Sequence, residues 1–183
     1  MHVGILGGTG PAGSGLAVRL ADAGLEVVIG SRSKERAQQT CDELGKKFPD
    51  RTLQLEGGDN LRAASADLVV VATPWDAAAS TVSTVAHRLV GKVVISMANA
   101  LAKVGDEFEP LVPPRGSVAA HVQAAAPGAL VSAAFQHLPA RALMQLDRPV
   151  DGDVLVCSDH KAAFNATAEL FDRRGFIGTS AQT

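Results

Sequence analysis

Near the start of the chain a short apolar run, His2-Val3-Gly4-Ile5-Leu6, leads directly into Gly8-Thr9-Gly10-Pro11-Ala12-Gly13. This Gly-x-Gly-x-x-Gly spacing constrains the fold more than any other feature. A turn without side chains lets the backbone of a strand end approach a pyrophosphate closely, and the helix that follows presents its free N–H groups to the anion. The flanks agree with that reading. About five strand-like residues precede the turn, residues 12–23 have a helical pattern closed by Gly24, and Pro11 falls where a missing N–H costs nothing. The expected first unit is therefore strand, glycine turn, helix, strand.

The second strand ends in Val27-Val28-Ile29-Gly30-Ser31-Arg32. A site for an unphosphorylated dinucleotide usually carries Asp or Glu here, on the ribose 2′-hydroxyl. A hydroxyl and a guanidinium stand there instead. A carboxylate repels a 2′-phosphate, whereas Arg holds one through paired, charge-assisted hydrogen bonds. The motif thus points to NADP(H), and Arg36, one helical turn beyond Arg32, is either a second phosphate contact or a solvated charge.

The 183 residues are 46% hydrophobic and 20% charged, enough apolar material for a core. They suit one domain, with residues 1–97 as the dinucleotide-binding core and 98–183 adding strands and helices that border a second-substrate pocket. A net charge of −2 with no basic block gives a nucleic-acid partner no electrostatic support. The apolar runs are too short to cross a membrane, and a strand at the N-terminus reads as a cytoplasmic protein. Cys41 and Cys157 are expected to stay reduced, and no His or Cys spacing suggests a metal. The absence of Tyr excludes a Tyr-Lys reductase mechanism.

Beyond the first unit, the expected order is helix 33–47, a weak strand 52–55, strand 67–73, a helix from 74 to about 89 and strand 92–97. An irregular stretch over 98–116 follows, then helix 117–125, strand 130–135, strand 153–157, helix 161–174 and a last strand 175–178. This alternation without linkers predicts an α/β fold with a doubly wound, mostly parallel sheet of the Rossmann type. Ligands of such a sheet sit beyond the C-terminal strand ends. That singles out Thr73, Pro74 and Trp75, the segment around Met97, and the turn Gln136-His137-Leu138-Pro139. Trp75 is open to two readings, packing or a wall of the site. His137 is likewise either a backbone-bonded loop residue or a contact for a second ligand.

With these residues in hand, the chain resembles the NADPH-dependent reductases of coenzyme F420. The likeness runs through Leu6-Gly7-Gly8-Thr9-Gly10, Gly30-Ser31-Arg32, Thr73-Pro74-Trp75, Leu130-Val131-Ser132-Ala133, His137-Leu138-Pro139-Ala140 and Asp153-Val154-Leu155-Val156-Cys157-Ser158-Asp159. It implies an enzyme that moves a hydride between NADPH and a deazaflavin by orientation, with no acid–base residue, and it is compatible with a homodimer. By the resemblance, Gly8 to Gly13, including Thr9, Pro11 and Ala12, surround the pyrophosphate. Ser31, Arg32 and Arg36 hold the 2′-phosphate, while Met97 and the turn from Gln136 to Pro139 border the deazaflavin. Three departures stand out: Pro11-Ala12 in place of Asn-Leu, the Ser96-Met97-Ala98-Asn99 stretch in place of a Pro-rich one, and an end without the family's C-terminal helix.

Overall fold

The computed structural model describes residues 1–171. The first unit is β1 (His2–Leu6), α1 (Pro11–Asp22) and β2 (Glu26–Ser31). Then come α2 (Lys34–Lys47), β3 (Leu55–Asp59), α3 (Asn60–Ala63), β4 (Leu68–Val71), α4 (Trp75–Val85) and β5 (Val93–Ser96). The second half holds β6 (Leu101–Val104), β7 (Glu107–Pro110), α5 (Val118–Ala125), β8 (Leu130–Ala133), α6 (Ala140–Leu143), β9 (Cys157–Ser158) and α7 (Lys161–Phe171).

Among the described residues, seven strands form one sheet in the order β3-β2-β1-β4-β5-β8-β9, parallel except for β9. Strand side chains alternate between its two faces, as a period of two demands. Val3, Ile5, Val27, Ile29, Leu68, Val70 and Ile95 enter one core with residues of α1, α2 and α7. Leu6, Val28, Val69, Val71 and Val94 enter the other with residues of α3, α4 and α5. Both faces are covered, so the strands read as continuous apolar runs. The chain turns to opposite sides of β1 after α1 and after α3, which places the topological switch point between β1 and β4.

Four expectations change. The weak strand expected at 52–55 lies at Leu55–Asp59, where α2 and β2 impose the extended form on a Gly-Gly sequence that lacks strand propensity. The stretch at 98–116 holds an antiparallel hairpin, β6 with β7, turning at Gly105. Of the strand expected at 153–157 only Cys157–Ser158 pairs with β8; Val154 and Val156 are buried but lack a ladder. The short helices α3 and α6 carry too few residues for a periodic signal. The end of the helix beyond 171 and the strand at 175–178 lie outside the described residues, as does the chain end. Both cysteines are free, Cys41 buried and Cys157 exposed. Among the described residues no helix is long and apolar enough to cross a membrane, and no cluster of metal-ligating side chains occurs.

Candidate functional site

The glycine turn is held by contacts that leave no room for side chains. The Gly8 N–H donates to the Gly30 carbonyl at 2.9 Å, tying the turn to the end of β2. Gly7 has φ 67°, a left-handed conformation that costs glycine nothing. A Cβ on Gly13 would lie 2.7 Å from the Gly8 Cα, so the helix packs directly on the turn. Gly10 is different: a Cβ there would meet nothing within 4 Å. It is also the N-cap of α1, with no side-chain cap and no acidic residue in the first turn. The positive end of a twelve-residue helix therefore faces an open space.

That space is a crevice of about 520 Å³ along the C-terminal edge of β1, β2 and β4. Thr9, Gly10, Ser31, Arg32 and Arg36 line it on one side. Ser31 is buried and its Oγ accepts the Ser33 N–H at 3.3 Å. Ser33 in turn caps α2 by accepting the Arg36 N–H at 3.2 Å. This fixes the backbone on which both guanidiniums stand. Neither Arg32 nor Arg36 pairs with a carboxylate among the described residues, and no carboxylate lines the crevice there. Two exposed cations left unpaired beside a helix N-terminus make an anion site.

Asn60, Thr73 and Pro74 continue the crevice, and Ala77, Ser80, Thr81 and Thr84 of α4 form its far wall. The motif reading missed Asn60 and the α4 wall. The small and hydroxylated residues of α4 recur on one helix face, a signal too plain to stand out in sequence. Thr73 Oγ1 is buried with no partner among the described residues. Such an orphan costs about 1–3 kcal/mol unless something else supplies the hydrogen bond. Trp75 does not line the crevice; it is half-buried against the second core. Pro11 is exposed at the first helical position, and Ala12 packs against the first core.

A second cavity of about 270 Å³ opens one strand further along the same edge, at the ends of β5 and β8. Ser96, Asn99, Leu111, Pro113, Ala133 and Gln136 are among its walls. Ser96 is 1% exposed, and its Oγ is, among the described residues, the other buried hydroxyl without a partner. Phe135 has φ 71°, the one non-glycine residue in the left-handed region among those described. Left-handed backbone costs a side-chain-bearing residue about 1–2 kcal/mol. The turn buries the Phe135 ring 4.8 Å from that of Phe171 and brings Gln136 to the cavity.

The other residues of this turn do different work. His137 lines neither cavity; its Nε2 donates to the Asp153 carbonyl at 2.7 Å, which assigns the proton to Nε2 because a carbonyl only accepts. Leu138 and Met97, each 7% exposed, lie in the first core. Pro139 is the exposed N-cap of α6. A wider depression along the charged outer face of α2 is a solvated helix surface without convergent groups.

An uncapped helix N-terminus at a switch point, two unpaired arginines and a neighbouring cavity define an NADP-dependent oxidoreductase of the Rossmann type. Residues 2–100 match the model of one family, the coenzyme F420-dependent NADP oxidoreductases, and the chain belongs to it. It is 37% identical over 175 residues to the F420-dependent NADP reductase of Methanocaldococcus jannaschii, with 93% of this chain and 78% of that protein covered. To the F420-dependent NADP reductase of Methanothermobacter thermautotrophicus it is 34% identical over 182 residues, covering 94% and 77%. Among solved structures, protein SMa0349 of Sinorhizobium meliloti matches with a TM-score of 0.77 and 26% identity, over 98% of this chain and 83% of that one.

Proposed function

We propose that this protein transfers a hydride between NADPH and the deazaflavin coenzyme F420. The observation that carries the NADPH half is the unpaired pair Arg32 and Arg36 beside Ser31, in the crevice that the N-terminus of α1 faces. Gly8 to Gly13 and the first N–H groups of α1 take the pyrophosphate; Ser31, Arg32 and Arg36 take the 2′-phosphate. Thr73, with Pro74 at the end of β4, leads the rest of the dinucleotide toward β5. Trp75 and Met97 support this path through packing.

The deazaflavin half falls to the second cavity. Its walls are mostly apolar or neutral, and the Ser96 hydroxyl and Gln136 are placed to meet the polar edge of a ring system. His137, Leu138 and Pro139 shape the turn that carries Gln136. When bound, NADPH supplies a hydride that the deazaflavin ring accepts, or the reverse. The chain's own residues orient the two ligands at adjacent strand ends and keep water out; hydride transfer between two preformed rings needs no acid or base from the protein. The same reading makes the protein a cytoplasmic homodimer without a nucleic-acid partner, in keeping with its net charge of −2.

The test is the visible absorbance of oxidised F420 on addition of protein and NADPH, with NADH in parallel. Bleaching with NADPH and much slower bleaching with NADH is the expected result. No bleaching, with NADPH bound, would reassign the second cavity to another acceptor.

A further inference from the structure

Asn60 opens α3 at the end of β3, and its Oδ1 accepts the Gly7 N–H at 3.2 Å. A backbone N–H can only donate, so this bond assigns the amide oxygen and with it the –NH2 end. That end has no protein partner among the described residues, and Asn60 lines the crevice that Ser31, Arg32 and Arg36 share. The carboxylates nearest in sequence are engaged elsewhere. Asp59 Oδ1 accepts the Arg62 N–H at 2.7 Å as the cap of α3. Glu56 holds the Arg62 guanidinium at 2.7 and 2.6 Å. The crevice therefore receives two guanidiniums and one neutral amide donor, and no negative charge.

We propose that Asn60 is a specificity-determining residue for the phosphorylated dinucleotide. Its Nδ2 donates to the phosphorylated ribose on the adenosine side, while its Oδ1 holds the start of the glycine turn. Asn suits this position where Asp does not. Asp accepts the same Gly7 N–H but turns a carboxylate toward the 2′-phosphate, and such a carboxylate favours a free ribose hydroxyl. The inference rests on the NADPH reading of the crevice.

The test is the ratio of NADH to NADPH dissociation constants, measured by calorimetry on the full chain, with thermal unfolding alongside. Asn60→Asp keeps the acceptor for Gly7, so the melting temperature is expected to stay near that of the parent. The ratio is expected to fall about tenfold or more, through weaker NADPH binding. Asn60→Ala, without the added charge, is expected to lower it by a smaller factor, and it serves as the readout should the Asp variant unfold. A ratio within about twofold of the parent in the folded variants overturns the inference while leaving the NADPH reading intact. A parent protein without preference for NADPH overturns both.

Discussion

The two cavities sit on one edge of one sheet, yet they are built on different physical terms. The crevice over β1, β2 and β4 is wide and cationic, and it is made of groups left unpaired among the described residues: Arg32, Arg36 and the uncapped N-terminus of α1. The cavity at β5 and β8 is about half that volume and carries no lining charge; its polar side chains are the buried Ser96, Ser117 and the amides of Asn99 and Gln136. The first attracts a polyanion through electrostatics that salt screens; the second selects by shape and a few hydrogen bonds. On the proposed reading, the dinucleotide phosphate takes the first kind of surface and the deazaflavin ring the second.

The largest effect is expected where charge dominates. Arg32→Asp removes charge-assisted bonds and adds repulsion, and is expected to weaken NADPH binding by roughly 2–4 kcal/mol in a titration at low salt. NADPH affinity indifferent to this change would break the contrast between the cavities. A smaller effect is expected from Ser96→Ala. Deleting an unpartnered buried hydroxyl leaves the free protein as stable as before or more so, while the deazaflavin KM rises by about 1 kcal/mol equivalent and that for NADPH stays unchanged. An equal rise in both KM values would merge the two cavities into one site. The smallest concerns His137. Loss of its bond to Asp153 in His137→Ala is expected to cost about 0.5–1.5 kcal/mol in thermal unfolding, with NADPH kinetics unaltered. An unchanged melting temperature with a raised deazaflavin KM would return His137 to the ligand.

The crevice was legible in sequence because its determinants are local. Gly8, Gly10 and Gly13 shape one turn, and Ser31 and Arg32 follow the strand beside it, so a few consecutive residues carry the whole signal. The second cavity is assembled from β5, the segment after the hairpin and the turn after β8, segments far apart in the chain. Within the turn from Gln136 to Pro139, His137, open to both readings in sequence, bonds the backbone, and Gln136 lines the cavity next to Phe135 in its left-handed conformation. Asn60 went unread for a related reason: β3 and α3 bring it to Gly7 across 53 residues.

By itself, then, the sequence determined the parallel α/β architecture, the glycine turn, the helix it feeds and the two arginines placed beside that turn. These follow from short-range sterics, periodicity and charge. Only the tertiary structure decided which polar groups remain without partners among the described residues: Thr73 and Ser96 as buried hydroxyls, Asn60 with a free amide, and His137 already engaged. Whether a side chain is free to meet a ligand depends on every segment packed around it, and no local window of sequence contains that information.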